Sequence, residues 1–91
     1  PSSKLIGAEP ENANDAYQSL QSGEINRFKD SPKTIADGLR ALSICHRTFN
    51  YLKNLDDFYT CSEESIYYWT AWLMQTTKVT CEPSAAISMS A

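Results

Sequence analysis

The sequence predicts an α/β fold, a partial parallel sheet of about three strands with flanking helices, in which residues 1–91 form a single segment. Short apolar runs at residues 4–8, 58–61 and 78–81 each stop at an acidic-proline pair or a capping serine. Helical composition or helix-start chemistry follows each run. Strand and helix therefore alternate, the order that lays strands side by side in parallel and covers them with helices.

The elements are justified in turn. Residues 4–8 form an apolar run halted by Glu9-Pro10, as expected of a buried parallel strand. Residues 12–22 have helical composition, open on Asn12, a good N-cap residue, and meet Gly23, a good helix stop. Residues 24–33 hold no sustained period and contain Pro32, which reads as a loop. Single helical turns are expected after Gly38, within residues 35–44, and again within residues 49–54. Residues 58–61 give the second strand, and Ser62 caps a helix whose first turn carries Glu63 and Glu64, favourable against the helix dipole. Ile66, Trp69 and Leu73 supply its apolar stripe. Residues 78–81 are the third strand, and Pro83 starts the final helix at the position where its missing N–H costs nothing.

Composition narrows the function classes. The chain is 42% hydrophobic and 21% charged, and its 11% aromatic content argues against disorder. A net charge of −3 gives no basic footprint, so nucleic acid is not an expected partner. No apolar run approaches the roughly 20 residues of a membrane helix, so no membrane partner is expected either. Cys45, Cys61 and Cys81 are odd in number and lack C-x-x-C spacing, which suggests neither a disulfide framework nor a zinc site. A reducing, cytoplasmic compartment is the natural expectation. The start at Pro1-Ser2-Ser3 without Met, and the uncapped helix at the other end, read as cuts within a longer chain. Tyr67, Tyr68, Trp69 and Trp72 crowd one helix nearly all round, as if parts of it face another layer or subunit.

Three segments can carry chemistry, because each places a carboxylate where backbone groups from several elements can converge. In Glu9-Pro10-Glu11-Asn12-Ala13-Asn14-Asp15, two carboxylates six residues apart flank a strand-to-helix turn. They could hold a hard cation with a backbone carbonyl, or simply serve the helix dipole. Thr34-Ile35-Ala36-Asp37-Gly38 reads either as a capped turn or as a glycine turn that approaches a ligand closely. Glu82-Pro83-Ser84 by itself reads as a helix start. The adjacent Cys45-His46 pair is not a nucleophile–base dyad, since neighbours on a helix do not face each other.

In this order, from about Leu5 to Ala91, the three segments resemble the serine racemase and threonine dehydratase family, pyridoxal-phosphate enzymes of the second fold type. The resemblance covers one internal stretch of the large domain of such an enzyme. It implies a Mg²⁺ or Ca²⁺ site at Glu9, the Ala13 carbonyl and Asp15, with Asn14 standing where relatives often carry Asp. It implies that Asp37 and Gly38 lie beside pyridoxal 5'-phosphate and that Glu82 lines the same pocket. Two departures stand out. Leu42-Ser43-Ile44-Cys45-His46-Arg47 replaces the Ser-Leu-Gly run common near the substrate path, and Ala85-Ala86 replaces a nearby glycine.

The resemblance further implies a parent enzyme that removes the α-proton of a β-hydroxy amino acid such as serine or threonine. It would then expel the hydroxyl or return the proton to the other face. The implied partners are the remainder of the parent chain, a small amino-acid substrate and, in the full-length enzyme, further copies of itself. The resemblance places the covalent lysine far upstream, and Lys4, Lys29, Lys33, Lys53 and Lys78 all lack its context; with no Ser-Gly-Asn-His segment or glycine-rich phosphate loop either, these residues do not turn over an amino acid unaided. The competing expectation is a stand-alone, non-catalytic α/β interaction module that seals its aromatic patch by association.

Overall fold

The structure, a computed structural model, describes residues 3–91. Pro1 and Ser2, which belong to the expected cut end, lie outside the described residues. Strand β1 spans Ile6–Pro10 and is followed by one turn of 3-10 helix, Glu11–Ala13, and helix α1, Asp15–Ser22. A second 3-10 turn, Asp37–Leu39, precedes helix α2, His46–Leu52. Strand β2, Asp57–Cys61, leads into the long helix α3, Glu63–Thr77, and then α4, Pro83–Ser90.

The two strands pair in parallel, with Ile6 opposite Asp57 and Pro10 opposite Cys61. Asp56 pins this register. Its Oδ2 accepts the Leu5 N–H at 2.7 Å, and its own N–H donates to the Leu5 carbonyl at 2.8 Å. Pro10, which has no ladder donor, sits at the last position of β1, where that loss is tolerated.

Helix boundaries follow local chemistry. Gly23 ends α1 with φ at +81°, and its N–H donates to the Ser19 carbonyl at 2.9 Å. Ser62 Oγ caps α3 by accepting the Ser65 N–H at 3.1 Å, and Pro83 occupies the first turn of α4. The α3–α4 pair buries Ile66 and Ile87 with Cys61, and Leu39 packs against this cluster. The Ser65 and Ser90 hydroxyls bond across the same helix pair. On the outer side of α3, Tyr68, Trp69 and Trp72 stack edge to face, with centroids 5.1 and 5.6 Å apart, while Tyr67, Tyr68 and Trp72 remain exposed.

The α/β class and parallel pairing stand as predicted, with differences in detail. Strand β1 lies two residues later than the apolar run, because the Glu9 and Pro10 backbone pairs with Thr60 and Cys61. Helix α1 starts at Asp15 rather than Asn12, whose side chain instead donates to the Lys33 carbonyl at 3.1 Å. Helix α2 begins three residues before the expected turn. The third strand is not formed. Lys78 is left-handed, with φ at +61°, and caps α3, while Val79 is exposed and its N–H meets Thr77 Oγ1. A strand exists only through a neighbouring ladder, and among the described residues none lies beside this segment. No described helix is long and apolar enough to cross a membrane.

Candidate cofactor and cation site

The end of β1 carries Glu9 into the interior, 7% exposed, directly under the first turn of α1. Its Oε2 accepts the Tyr17 N–H at 2.6 Å and its Oε1 the Ala16 N–H at 3.4 Å. Glu9 thus satisfies free amides that a side-chain N-cap would otherwise take, and Asn14, at the cap position, makes no such bond. Asp15, at the start of α1, is 6% exposed. Burial pushes the Glu9 carboxyl up to about 7 from its usual 4.5, the Asp15 charge adds to the rise, and the two amides oppose it. Burial also raises Asp15. Ala13 is buried in the turn between them.

Two buried carboxylates that repel each other suit the oxygen chemistry of a hard divalent cation. Among the described residues there is no cluster of three or more His, Cys, Asp or Glu side chains, so a third protein ligand would be a backbone carbonyl.

The other two segments meet a short distance away. The Gly38 N–H donates to Ser84 Oγ at 2.8 Å. A Cβ at Gly38 would lie 3.0 Å from that oxygen, 3.3 Å from Ser84 Cβ and 3.6 Å from Glu82 Oε1. The glycine turn and the start of α4 therefore touch, and a side chain at position 38 would press on both. Asp37, by contrast, has an 86% exposed side chain that pairs with Arg40 Nη1 at 3.8 Å.

A cavity of about 290 Å³ joins the pieces: Glu9, Asp15, Gly38, Leu39, Ile44 and Phe58 are among its walls. Glu9, Asp15 and Gly38 thus face one space, while Asp37 and Glu82 are not part of its lining. No lysine lines it; Lys33 borders a separate cleft with Arg40 and Glu63. With no lysine in its lining the cavity offers no covalent anchor for pyridoxal phosphate, while the glycine turn leaves room for a flat group to lie beside it. Sequence reasoning overlooked Ser84 as the partner of Gly38, and Ile44, from the run expected near the substrate path, forms part of the wall. The free, exposed thiol of Cys45, just before α2, has its pKa drawn down by a hydrogen bond with Thr48.

A parallel strand pair whose carboxyl ends feed helices, with an acidic strand end and a glycine turn on one cavity, is part of an α/β domain, the class in which ligands bind beyond the carboxyl ends of the strands. Known proteins specify it further. The profile of the family described as pyridoxal-phosphate dependent enzyme matches residues 1–91, and the chain belongs to that family. It is 39% identical to serine racemase of Rattus norvegicus, covering 100% of this chain and 27% of that protein. It is 38% identical to L-threo-3-hydroxyaspartate ammonia-lyase of Saccharomyces cerevisiae, covering 96% of this chain and 27% of that one. Among solved structures, the threonine deaminase of T.th. superposes with a TM-score of 0.94 at 40% identity, over 99% of this chain and 33% of that chain. Maize serine racemase gives 0.90 at 35% identity, over 99% and 27%. The chain thus spans about a third or less of each of these proteins.

Proposed function

We propose that this chain is one stretch of a larger pyridoxal-phosphate enzyme that removes the α-proton of a small β-hydroxy amino acid. Dehydration to a keto acid and ammonia is the favoured outcome, with racemisation as the alternative. Within that enzyme the chain contributes a divalent-cation site and one wall of the cofactor cleft. The observation that carries this reading is the shared cavity, where Glu9 and Asp15 face the same space as Gly38. Relatives named for serine, threonine and hydroxyaspartate chemistry support the substrate class.

Pyridoxal phosphate, when bound, supplies the electron sink for charge at the substrate α-carbon. This chain's residues do the surrounding work. Gly38 keeps the turn thin enough to lie against a flat cofactor, and Ser84 fixes the orientation of its amide. Glu82, near Gly38, and the exposed Asp37 lie outside the lining of this cavity and would border the cofactor only where the turn meets the rest of the parent chain. Glu9, Asp15 and the Ala13 carbonyl hold Mg²⁺ or Ca²⁺, whose charge relieves the repulsion between the two carboxylates. The covalent lysine comes from elsewhere in the parent chain, which acts as a cytoplasmic homo-oligomer.

The test uses the full-length protein. Its absorbance should reveal bound pyridoxal phosphate, and it should release ammonia from serine, threonine or 3-hydroxyaspartate. Chelation by EDTA should lower both activity and melting temperature, and added Mg²⁺ or Ca²⁺ should restore them. Unchanged values after chelation would remove the cation site, and absence of the cofactor would remove the enzymatic reading.

Glu9 also sets a pH dependence. The folded state keeps its proton up to about pH 7, whereas the unfolded chain releases it near 4.5. Between those values the folded state binds more protons, so stability falls as pH rises. Allowing for water that reaches the carboxylate through the cavity, the loss is about 2 kcal/mol. Urea midpoints of metal-free protein at about pH 5 and about pH 7.5 should show it. Glu9→Gln should flatten the difference, and saturating Mg²⁺, which binds the deprotonated form, should reduce it.

A further inference from the structure

The Thr34–Gly38 turn is held from both sides, and the contacts on one side are made by a residue that neither the cavity nor the family's motifs single out. Glu63 is the first residue of α3. Its Oε2 accepts the Thr34 hydroxyl at 2.6 Å and its Oε1 accepts the Ile35 N–H at 2.7 Å, so both carboxylate oxygens are committed to the turn. Thr34 is 9% exposed, and its Oγ1 in turn accepts the Ala36 N–H at 3.2 Å. Ala36 is fully buried. A continuous chain of bonds therefore runs from α3 through Thr34 to Ala36, two residues before Gly38. Short bonds to an ionised carboxylate are the stronger class, and a two-point grip fixes direction as well as distance.

We propose that Glu63 is a positioning residue for the cofactor, holding the Thr34–Gly38 turn at the angle that presents Gly38 to pyridoxal phosphate while Ser84 holds its other end. This rests on the cofactor-wall reading of Gly38 given above. Glu63 does not touch the cofactor; it acts through Thr34 and Ile35. A carboxamide at position 63 would present an N–H₂ group to one of two donors, the Thr34 hydroxyl or the Ile35 amide. One of the two grips is then lost while size and packing are retained.

The test titrates pyridoxal 5'-phosphate into the apo form of the full-length protein, followed by its absorbance, with urea unfolding of the same apo samples. Glu63→Gln should weaken cofactor affinity about tenfold, the effect of losing one charge-assisted bond. Thr34→Val, which breaks the same chain from the other end, should do the same. Glu64→Gln is the control, because it removes a carboxylate from the same first turn of α3 with no contact to the Thr34–Gly38 turn, and it should leave affinity unchanged. Kinetics should then divide, with the Glu63→Gln defect removed by saturating cofactor. Cofactor affinity equal to that of the parent in both Glu63→Gln and Thr34→Val would overturn the proposal. So would a loss of affinity accompanied by an equal loss of apo stability, which would mean a merely structural role. A parent protein that binds no pyridoxal phosphate overturns this inference together with the proposed function. A parent that binds it normally, with variants that do too, overturns this inference alone.

Discussion

Replacing Ile66 with Ala should destabilise the protein by about 3 kcal/mol, within the range for truncating a buried Ile where the surroundings cannot collapse. Ile66 is fully buried and forms one cluster with Cys61 and Ile87, each on a different element. Leu39 also packs on this cluster, one residue after Gly38. The void would therefore open beneath the candidate site as well as between α3 and α4. Urea unfolding monitored by tryptophan fluorescence measures the loss, since Trp69 lies on the same helix. Leu73→Ala, at a half-buried position farther along α3, should cost about 1 kcal/mol. Equal losses at the two positions would contradict a core centred on Ile66.

The second large effect is expected from Gly7→Ala. Gly7 lies opposite Phe58 in the parallel ladder. A Cβ there would fall 2.4 Å from Phe58 Cδ2, 2.6 Å from Cε2 and 3.0 Å from Leu55 Cδ1, far inside contact distance. Phe58 also meets Tyr17 of α1, with centroids 6.4 Å apart, so displacing its ring disturbs the strand–helix contact as well as the sheet. Overpacking of this kind costs about 2 kcal/mol. Adding Phe58→Leu to Gly7→Ala should recover part of that cost, and a double-mutant cycle should return a coupling of about 1 kcal/mol or more. Additive effects would mean that the ring is free to move aside.

The sequence was most legible where one residue decides an outcome through its own backbone or a neighbour a few positions away. Gly23, Ser62 and Pro83 mark helix ends in that way, and each was read correctly. Residues 78–81 illustrate the opposite case, because β-type composition does not make a strand without a partner ladder. Glu63 is the instructive miss. Its position in a first helical turn suggests a dipole role, yet its two bonds reach 29 and 28 residues back along the chain. No local spacing carries that information. Glu9 lies between these cases: the acidic-proline motif marked it as a site residue, but its hold on the amides of α1 depends on how the strand and helix pack. The motif order was enough to bring the family into view, whereas the cavity that unites Glu9, Asp15 and Gly38 exists only in three dimensions.

A two-stranded sheet consists entirely of edges. Among the described residues β1 and β2 each pair on one side only, and the Val79 side chain and much of the aromatic surface of α3 face outward. Residues 65–77 add a helix with no charged side chain to keep like molecules apart. Unpaired backbone edges recruit further strands, and two strands alone are marginal in water. Produced as an isolated 91-residue polypeptide, the chain would therefore be a handling problem, self-associating through strand addition and aromatic contact before it displayed any binding property. The concentration at which such material stays monomeric would report on those open edges rather than on the biology of the protein.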